Sequence, residues 1–451
     1  MRFGLTIFFL GILFLYPLTS FASILNIQTV TSPKGIKAWL VEDKTIPVIS
    51  LRFMFKGAGA VNDPMDKQGL SQVLSNTLDE GAGEYDSQAF QAQLNDKSIG
   101  LSFSSSRDDF GGHLKTLTKY QDTAFNLLSL AITKPRFDKD PVARMIESNL
   151  VRIRSNITDP EWMNARLAND VLYQGHPYAM NSGGTLSSLP KITPEDLRKK
   201  YSSQLARDNL IVAVAGNISA TELGVMLDKI FGHLPETAKL AKVDNHIHQD
   251  ASSITVYKQD IPQTVISMAI QGIRHTDKDY HAAEIMDFVF GSSGFGSRLT
   301  EEVREKRGLT YGIYSNLSEM RYATSLSIGT STKNANVQEV INIIKTVMTE
   351  MAARPVSDKE LKDAKAYLIG SIPLNLTSSD RISGMMISLM AEDLPINYLD
   401  ERAKKIKSIN ADDVLEVSKR LLTPDKLKII LVGSPEISDN YKTVTSLPNV
   451  E

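Results

Sequence analysis

The feature that most constrains the fold is an internal repeat, because segments of the first half recur in the second half at one fixed spacing. Each repeated segment lies 217 positions after its counterpart. The pairs are residues 48–50 with 265–267, 192–197 with 409–414, and 210–216 with 427–433. This period is far too long for a solenoid, so the chain is predicted to contain two copies of one domain of about 200 residues.

Both copies show the same order of patterns along the chain. An apolar strand comes first, then helices, then β-rich stretches such as 100–106 and 323–330, then a capped helix and a terminal apolar strand. This order predicts an α+β fold of two homologous domains, each with helices packed against a mainly antiparallel sheet. We predict the boundaries 23–236 for the N-terminal domain, 237–253 for a linker and 254–451 for the C-terminal domain.

The predicted linker is polar and lacks periodicity, and it contains a His-x-His pair, His246 and His248. Two histidines at this spacing could bind a metal ion. The chain has no cysteine, however, and no third ligand lies near them in the sequence. A solvated linker is therefore the favoured interpretation.

The N-terminus has the pattern of a secretory signal. Met1 and Arg2 precede an apolar run over 3–18, which Pro17 interrupts and which is short for a membrane span. Small residues at 20 and 22 place cleavage after Ala22, so 1–22 is predicted to be a signal peptide. With no cysteine for disulfides, we expect a periplasmic protein of a Gram-negative bacterium, without a membrane anchor after cleavage.

Net charge argues against one class of partner. The formal charge is -2, and charges of both signs are mixed along the chain. No electrostatic footprint for nucleic acid is present, so nucleic-acid binding is not expected.

Residues 69–76 have the pattern of a metal-binding helix that has lost its ligands. A zinc-binding helix of this kind carries two histidines at i and i+4 and a glutamate at i+3. Here these positions hold Gln72, Asn76 and Ser75. Neutral amides and a hydroxyl are poor zinc ligands, and none is a general base near neutral pH.

A glycine-rich segment in the second half leads into a helix and a strand. Gly291, Gly294 and Gly296 allow close backbone approach, Ser297 can cap the helix, and Gly308 can end it before a strand that starts at Leu309. On this arrangement Arg304 and Tyr311 could donate hydrogen bonds to a peptide carbonyl or an oxyanion. On spacing alone, the favoured interpretation is that Arg304 pairs with a nearby Glu and that Tyr311 packs in the core.

With these motifs, the chain resembles the insulinase and pitrilysin group of zinc peptidases, most closely their short bacterial and mitochondrial processing-peptidase branch. The resemblance covers about residues 24–437 and implies two α+β halves closing as a clamshell around an extended peptide. The family's His-x-x-Glu-His motif falls on Gln72, Ser75 and Asn76. Its third ligand, a Glu before an Ile, falls on Arg152, so the resemblance implies no metal in this chain.

The family's second-half pattern, in contrast, is intact as Ser-Arg-Leu at 297–299 and Arg-Glu-x-x-Gly-Leu-x-Tyr at 304–311. The resemblance implies that Arg304 and Tyr311 bind the substrate backbone and support the tetrahedral intermediate. It also implies a substrate-binding role for the glycine loop, specifically for Gly291, Gly294, Phe295 and Gly296.

Two functions follow as hypotheses. In the first, the chain is inactive alone and is the non-zinc subunit of a heterodimeric metallopeptidase, binding peptide substrates while a homologous partner holds the zinc. In the second, it is an inactive peptidase-fold protein that serves as a binding or scaffold module. An independent hydrolase has little support, because there is no cysteine or Gly-x-Ser-x-Gly nucleophile and the histidines at 113, 176, 233, 275 and 281 are scattered singly.

Overall fold

The computed structural model describes residues 24–248 and 251–446, so the predicted signal peptide at 1–22 lies outside the described residues. Each half of the chain builds one six-stranded sheet. The strands of the first sheet are β1 Gln28–Thr31, β2 Lys37–Glu42, β3 Val48–Phe55, β4 Gly100–Ser105, β5 Phe110–Leu117 and β6 Leu210–Gly216. Those of the second are β7 Ser253–Lys258, β8 Gln263–Gln271, β9 Ile313–Met320, β10 Ala323–Lys333, β11 Lys428–Gly433 and β12 Lys442–Val444.

The two sheets have equivalent strand orders. They run β1-β2-β6-β3-β5-β4 and β12-β7-β11-β8-β10-β9. The repeated segments form the inner antiparallel pairs, β3 with β6 and β8 with β11. Among the strands described, three neighbouring pairs are parallel, namely β2 with β6, β7 with β11 and β7 with β12, and the other pairs are antiparallel. The predicted α+β fold of two halves with mainly antiparallel sheets is confirmed.

Helices pack against both sheets. In chain order they are α1 Leu70–Ser75, α2 Ser87–Asp96, α3 Gln121–Thr133, α4 Lys139–Asn156, α5 Pro160–Leu172, α6 Pro194–Gln204, α7 Ala220–Phe231, α8 Tyr280–Asp287, α9 Val337–Ala353, α10 Asp358–Gly370, α11 Ser379–Ala391, α12 Tyr398–Ser408 and α13 Ala411–Leu421. Two π-helical turns lie at Phe288–Ser292 and Thr300–Glu305. Single 3-10 turns lie at Ala60–Asn62, Met65–Lys67, Thr118–Tyr120, Pro177–Ala179, Leu189–Lys191, Asn334–Asn336, Pro373–Asn375 and Pro424–Lys426. Within 24–248 and 251–446, none of the helices has the length and apolarity needed to cross a bilayer.

The repeated capping segments begin equivalent helices. The Thr193 hydroxyl accepts from the Asp196 amide at 3.3 Å, and the Asp196 carboxylate accepts from the Thr193 amide at 2.9 Å. In the second half, Asn410 and Asp413 form the same reciprocal box at the start of α13. These boxes satisfy amides that would otherwise lack partners at the helix N-termini, which explains why both helices begin within the repeated segments 192–197 and 409–414.

Each half contributes one helix to the sheet of the other half. Helix α5 packs on β8 and β11, and α11 packs on β3 and β6. The contacts are apolar: Met163 and Leu167 of α5 lie with Ile430 and Val432, and Met386 and Ile387 of α11 lie with Ala213 and Ala215. Buried apolar area of this kind is the main favourable term in association, so the exchange joins the two halves through core-like packing.

The tips of two hairpins add polar contacts between the halves. Asp108, in the β4–β5 turn, accepts from the Tyr178 hydroxyl at 2.5 Å and from the Arg321 amide in the β9–β10 turn at 3.1 Å. The Arg321 guanidinium also donates to Asp109 at 2.8 Å. Because Asp108 is buried and bonded on both oxygens, the junction orients one hairpin against the other.

Candidate functional site

Helix α1 is anchored to the first half by a buried polar cluster. The Ser71 amide and hydroxyl donate to the Asp63 carboxylate at 3.1 and 2.6 Å. The Lys200 ammonium lies 3.1 Å from the same carboxylate, and both charged side chains are almost completely buried. A buried charge is tolerated when it is paired and hydrogen-bonded in this way, so the start of α1 is held in place.

The four positions of the lost zinc motif are joined by hydrogen bonds. The Gln72 amide donates to the Asn76 carbonyl oxygen at 3.2 Å and reaches the Ser75 hydroxyl at 3.4 Å. Asn149 of α4 donates to the same Asn76 oxygen at 3.0 Å, and Arg152 donates to the Asn149 oxygen at 2.9 Å. The structure therefore brings these sequence-predicted positions together, with Asn149 as the link that sequence reasoning missed.

This set of side chains does not fit zinc. Zinc in proteins is held by thiolate, imidazole and carboxylate donors, whereas these positions present two amides, a hydroxyl and a guanidinium. The positive charge of Arg152 opposes a cation electrostatically. Within the described ranges, no group of three or more His, Cys, Asp or Glu side chains could hold a metal ion.

The glycine-rich segment of the second half packs tightly at one point and is open at others. A Cβ on Gly291 would lie 2.6 Å from the Ser315 hydroxyl and 2.7 Å from its amide, so β9 approaches the backbone closely there. At Gly294 and Gly296 the surrounding space is open, and φ is +67° and +94°. Between them Phe295 is 76% exposed, so the loop presents an aromatic side chain to solvent.

The helix after the loop has the predicted ends, but the next strand begins later than predicted. Ser297 accepts from the Thr300 amide at 3.3 Å, and Gly308, at φ +62°, follows the last turn. The predicted strand start at Leu309 is wrong, because β9 begins at Ile313. The Thr310 hydroxyl instead bonds the Gly312 carbonyl, a local turn contact that competes with strand pairing.

Arg304 and Tyr311 lie on the surface of this segment. The Arg304 guanidinium stacks 4.6 Å from the centre of the Phe295 ring, and its Nε lies 3.6 Å from the Glu305 carboxylate. Tyr311 is 90% exposed, so it does not pack in the core. The π-helical turn that carries Arg304 contacts α9 and β9, whereas α1 contacts α4, α6 and β4. Each motif is thus supported by packing within its own half.

The His-x-His pair is half-buried at His246 and buried at His248, although the polar segment around it predicted a solvated linker. His248 is 6% exposed, and the ring centres of His246 and His248 lie 5.3 and 5.6 Å from that of Tyr173. Burial lowers the pKa of His248 to about 4 and also lowers the pKa of His246. The expectation fails because the first half supplies an aromatic surface that covers both rings.

A Ser, a His and an Asp also meet between the halves, but not as a catalytic triad. The Ser50 hydroxyl lies 3.1 Å from His113 Nε2, and Asp380 Oδ1 lies 2.9 Å from the same nitrogen. A triad needs the serine and the carboxylate on opposite ring nitrogens. Ser50 is also fully buried, so this cluster is part of the contact between β3 and α11.

Two homologous α+β halves, with a helix that carries amides where zinc peptidases carry ligands, define a peptidase-like protein. A family described as the peptidase M16 inactive domain matches residues 191–368. The chain is 25% identical over 416 residues to a Helicobacter pylori protein named non-peptidase homolog YmxG, covering 92% of this chain and 95% of that protein. Over most of its length the chain is thus similar to proteins of the M16, or insulinase-type, peptidase family that are named as inactive or non-peptidase members.

Solved structures show the same similarity. The peptidase M16 inactive domain from Pseudomonas fluorescens is 28% identical and superposes with a TM-score of 0.85 over 92% of this chain and 100% of that chain. A Helicobacter pylori protease, 17% identical, has a TM-score of 0.81 over 91% and 99% of the two chains and shows the common fold.

Proposed function

We propose that the chain is the non-zinc subunit of a periplasmic heterodimeric metallopeptidase. A homologous partner supplies zinc and its water, while this chain binds the peptide and completes the site through Arg304 and Tyr311. The observation that carries the proposal is a contrast between two surfaces. The donor set at 72, 75, 76 and 152 does not fit a metal, while Tyr311, 90% exposed, and the surface guanidinium of Arg304 are available to a second chain.

The chemistry of the exposed segment supports a role at a peptide bond. A guanidinium that keeps its charge and a phenol are both hydrogen-bond donors, so they stabilise a carbonyl oxygen that becomes negative during hydrolysis. The exposed rings of Phe295 and Tyr314 lie on the same segment, and aromatic side chains are enriched in the buried centre of protein interfaces.

Reconstitution with a homologue that carries His-x-x-Glu-His, preferably from the same operon, tests the proposal. We expect chelator-sensitive peptide cleavage by the pair and none by this chain alone. Loss of one oxyanion donor costs about 100-fold or more in kcat, so Arg304→Ala and Tyr311→Phe should each slow the pair to that extent. Arg307→Ala is the matched control, because Arg307 pairs with Glu302 at 2.7 Å on the same turn. An undiminished rate after both changes at 304 and 311 would overturn the proposal.

A scaffold role is the second candidate, since a relative that matches nearly the whole chain is named a non-peptidase homolog. It predicts stable complexes with a protein that lacks the zinc motif and no effect of Arg304→Ala on the function of the complex. Affinity purification from the native source separates the two candidates. The periplasmic location is tested separately by sequencing the N-terminus of the exported protein, which we expect to begin at Ser23.

A further inference from the structure

The segment that contains His246 and His248 lies in the seam between the two halves of the chain. The His246 amide donates to the Tyr322 carbonyl at 2.7 Å, and the His248 amide donates to the Gln271 side-chain oxygen at 2.9 Å. Both acceptors belong to the second half. The two imidazole rings, in contrast, lie against Tyr173 of the first half, with ring centres 5.3 and 5.6 Å away. The backbone of this segment is thus bonded to one half while its side chains pack on the other.

Each of the two imidazoles has a buried nitrogen that makes no hydrogen bond. The Nε2 atoms of His246 and His248 are both of this kind. The two ring centres lie 5.2 Å apart, and the ring centre of His176 lies 5.5 Å from that of His246. Within 24–248 and 251–446, the histidines that pair with carboxylates are His113, His275 and His281. A neutral imidazole is tolerated in such surroundings, whereas an imidazolium would be a buried charge without a counter-ion.

The immediate surroundings of His248 favour its neutral form. Burial is the main reason that its pKa falls to about 4, and the neighbouring His246 lowers this pKa further. The carbonyl of Leu172, at the end of α5, acts in the opposite direction, but its effect is smaller than that of either. Lys428 of β11 is a further positive charge that lowers the pKa of His248. Protonation is therefore disfavoured as long as the ring stays in this place.

The second half supplies charged side chains along a cavity of about 620 Å³ that borders both histidines. This cavity is also lined by Arg274, Asp277, Arg420 and Lys426. Asp277 pairs with Arg420 at 3.2 Å, and Arg274 pairs with Glu319 at 3.3 Å. The cavity gives solvent a route to the histidines, while these carboxylates are already engaged by arginines.

The charged groups of the first half and of the linker are engaged in the same way. Asp108 accepts from the Tyr178 hydroxyl at 2.5 Å, and the Asp244 carboxylate pairs with Lys242 at 3.5 Å. Arg107 lies over the tyrosine ring that both histidines contact, 5.9 Å from its centre. These groups therefore do not act as counter-ions for an imidazolium at 246 or 248.

We propose that His246 and His248 form a pH-sensitive clasp, which holds the linker against the first half while both rings are neutral and releases it when His248 is protonated. Release frees residues 244–248, because a solvated imidazolium no longer meets the cost of burial. The packing of α5 and α11 on the opposite sheets still joins the two halves. The clasp involves neither Arg304 nor Tyr311, so it stands or falls independently of a zinc-bearing partner.

The direction of the pH effect follows from the two states of His248. A solvated histidine has a pKa of about 6.5, whereas His248 in the clasp has a pKa of about 4. The released state therefore binds a proton more readily than the closed state. The contribution of the closed clasp to stability is fully present above about pH 6.5, and it is lost as pH falls towards about 4.

Hydrogen–deuterium exchange of the full chain tests the clasp, with peptides read by mass spectrometry and corrected for the intrinsic exchange rate. We expect the protection of the amides in 244–248 to fall about 30- to 100-fold between about pH 7 and about pH 4.5. Helix α3, outside the seam, should still be protected at the lower pH. Unchanged protection at 244–248 would overturn the proposal. Loss of protection in α3 to the same level would also overturn it, because the whole chain would then be unfolding.

A variant identifies the ring that titrates. His248→Phe keeps an aromatic ring beside Tyr173 but cannot be protonated, so protection at 244–248 should change less than about threefold over the same pH range. The matched control is His233→Phe, since His233 is exposed and lies outside the clasp, and this variant should keep the wild-type response to pH. An undiminished pH response in His248→Phe would contradict the assignment.

A titration of the wild type makes the test independent of how well the variant folds. The chain has seven histidines, so NMR with carbon-13 at the ring Cε1 atoms resolves few signals. We expect the signal of His248 to titrate with a midpoint below about pH 5.5, because the closed clasp excludes the proton. A midpoint near 6.5 for all seven signals would overturn the proposal.

Discussion

The Ser50 hydroxyl of β3 lies 2.8 Å from the Ser383 hydroxyl of α11, a contact between the two halves of the chain. At the equivalent place in the other half, the Ser267 hydroxyl of β8 donates to the Asn164 side chain of α5 at 2.5 Å. Ser50 and Ser267 are the last residues of the repeated segments 48–50 and 265–267. The repeat therefore marks the strand positions at which each half receives a helix from the other.

Removal of one of these contacts should destabilise the whole chain. Asn164 also donates to the Ile430 carbonyl at 3.1 Å, so Asn164→Ala leaves buried polar groups unpaired. We expect a loss of about 1–3 kcal/mol in the free energy of unfolding, measured by urea denaturation. Ser388→Ala, an exposed change on α11, should cost less than about 0.5 kcal/mol. Equal losses in the two variants would contradict this account of the interface.

A methyl group should destabilise the chain at Gly291 of the glycine loop but be tolerated at Gly312, just before β9. Gly291→Ala would place Cβ within 2.7 Å of the Ser315 amide, so the backbone must shift. We expect a cost of about 1–3 kcal/mol, read from thermal unfolding. Gly312→Ala is the control, because nothing lies within 4 Å of the added atom. If both variants unfold at the wild-type temperature, the close approach to β9 is wrong.

Asp79 should make stability depend on pH. Burial raises its pKa to about 6, above the value of about 4 in an unfolded chain, so folding favours the protonated form. The contribution of protonated Asp79 to the free energy of unfolding is fully present below about pH 4, and it is lost as pH rises through about 6. The free energy of unfolding of Asp79→Asn, relative to that of the wild type, should therefore rise by about 1–2 kcal/mol from pH 4 to pH 7. Urea denaturation at each pH measures this difference. For the exposed control Glu84→Gln, the difference in unfolding free energy from the wild type should be the same at every pH. A pH-independent difference for Asp79→Asn would refute the prediction.

Restoring the ligands should restore zinc binding. The combined change Gln72→His, Ser75→Glu, Asn76→His and Arg152→Glu introduces two imidazoles and two carboxylates. The hydrogen-bond chain already holds these positions together. We expect about one zinc per chain after dialysis, measured by elemental mass spectrometry. The same variant with Arg152 unchanged should bind more weakly, since a cation remains beside the metal. Absence of zinc from a folded fourfold variant would mean that 152 is not the third ligand position.

Local signals predicted much of the fold. The capping boxes at Thr193 and Asn410 and the glycine at 308 mark helix ends correctly, because short-range hydrogen bonds and backbone preferences act there. The strand expected from Leu309 begins at Ile313, because a side-chain turn at Thr310 comes first. The residue types at 72, 75 and 76 were enough to recognise the degenerate zinc motif. That Asn149 contacts Arg152 could have been inferred, because it lies one helical turn before Arg152.

The sequence by itself determined the repeat, the capped helices and the loss of zinc ligands, since these depend on residue identity and short-range spacing. Tertiary structure alone decided that α5 and α11 cross to the opposite sheets and that Tyr173 covers His246 and His248. A helix pattern shows that one face must be buried but not which surface covers it. That choice depends on how distant apolar surfaces fit together when the chain packs, and no local pattern encodes it.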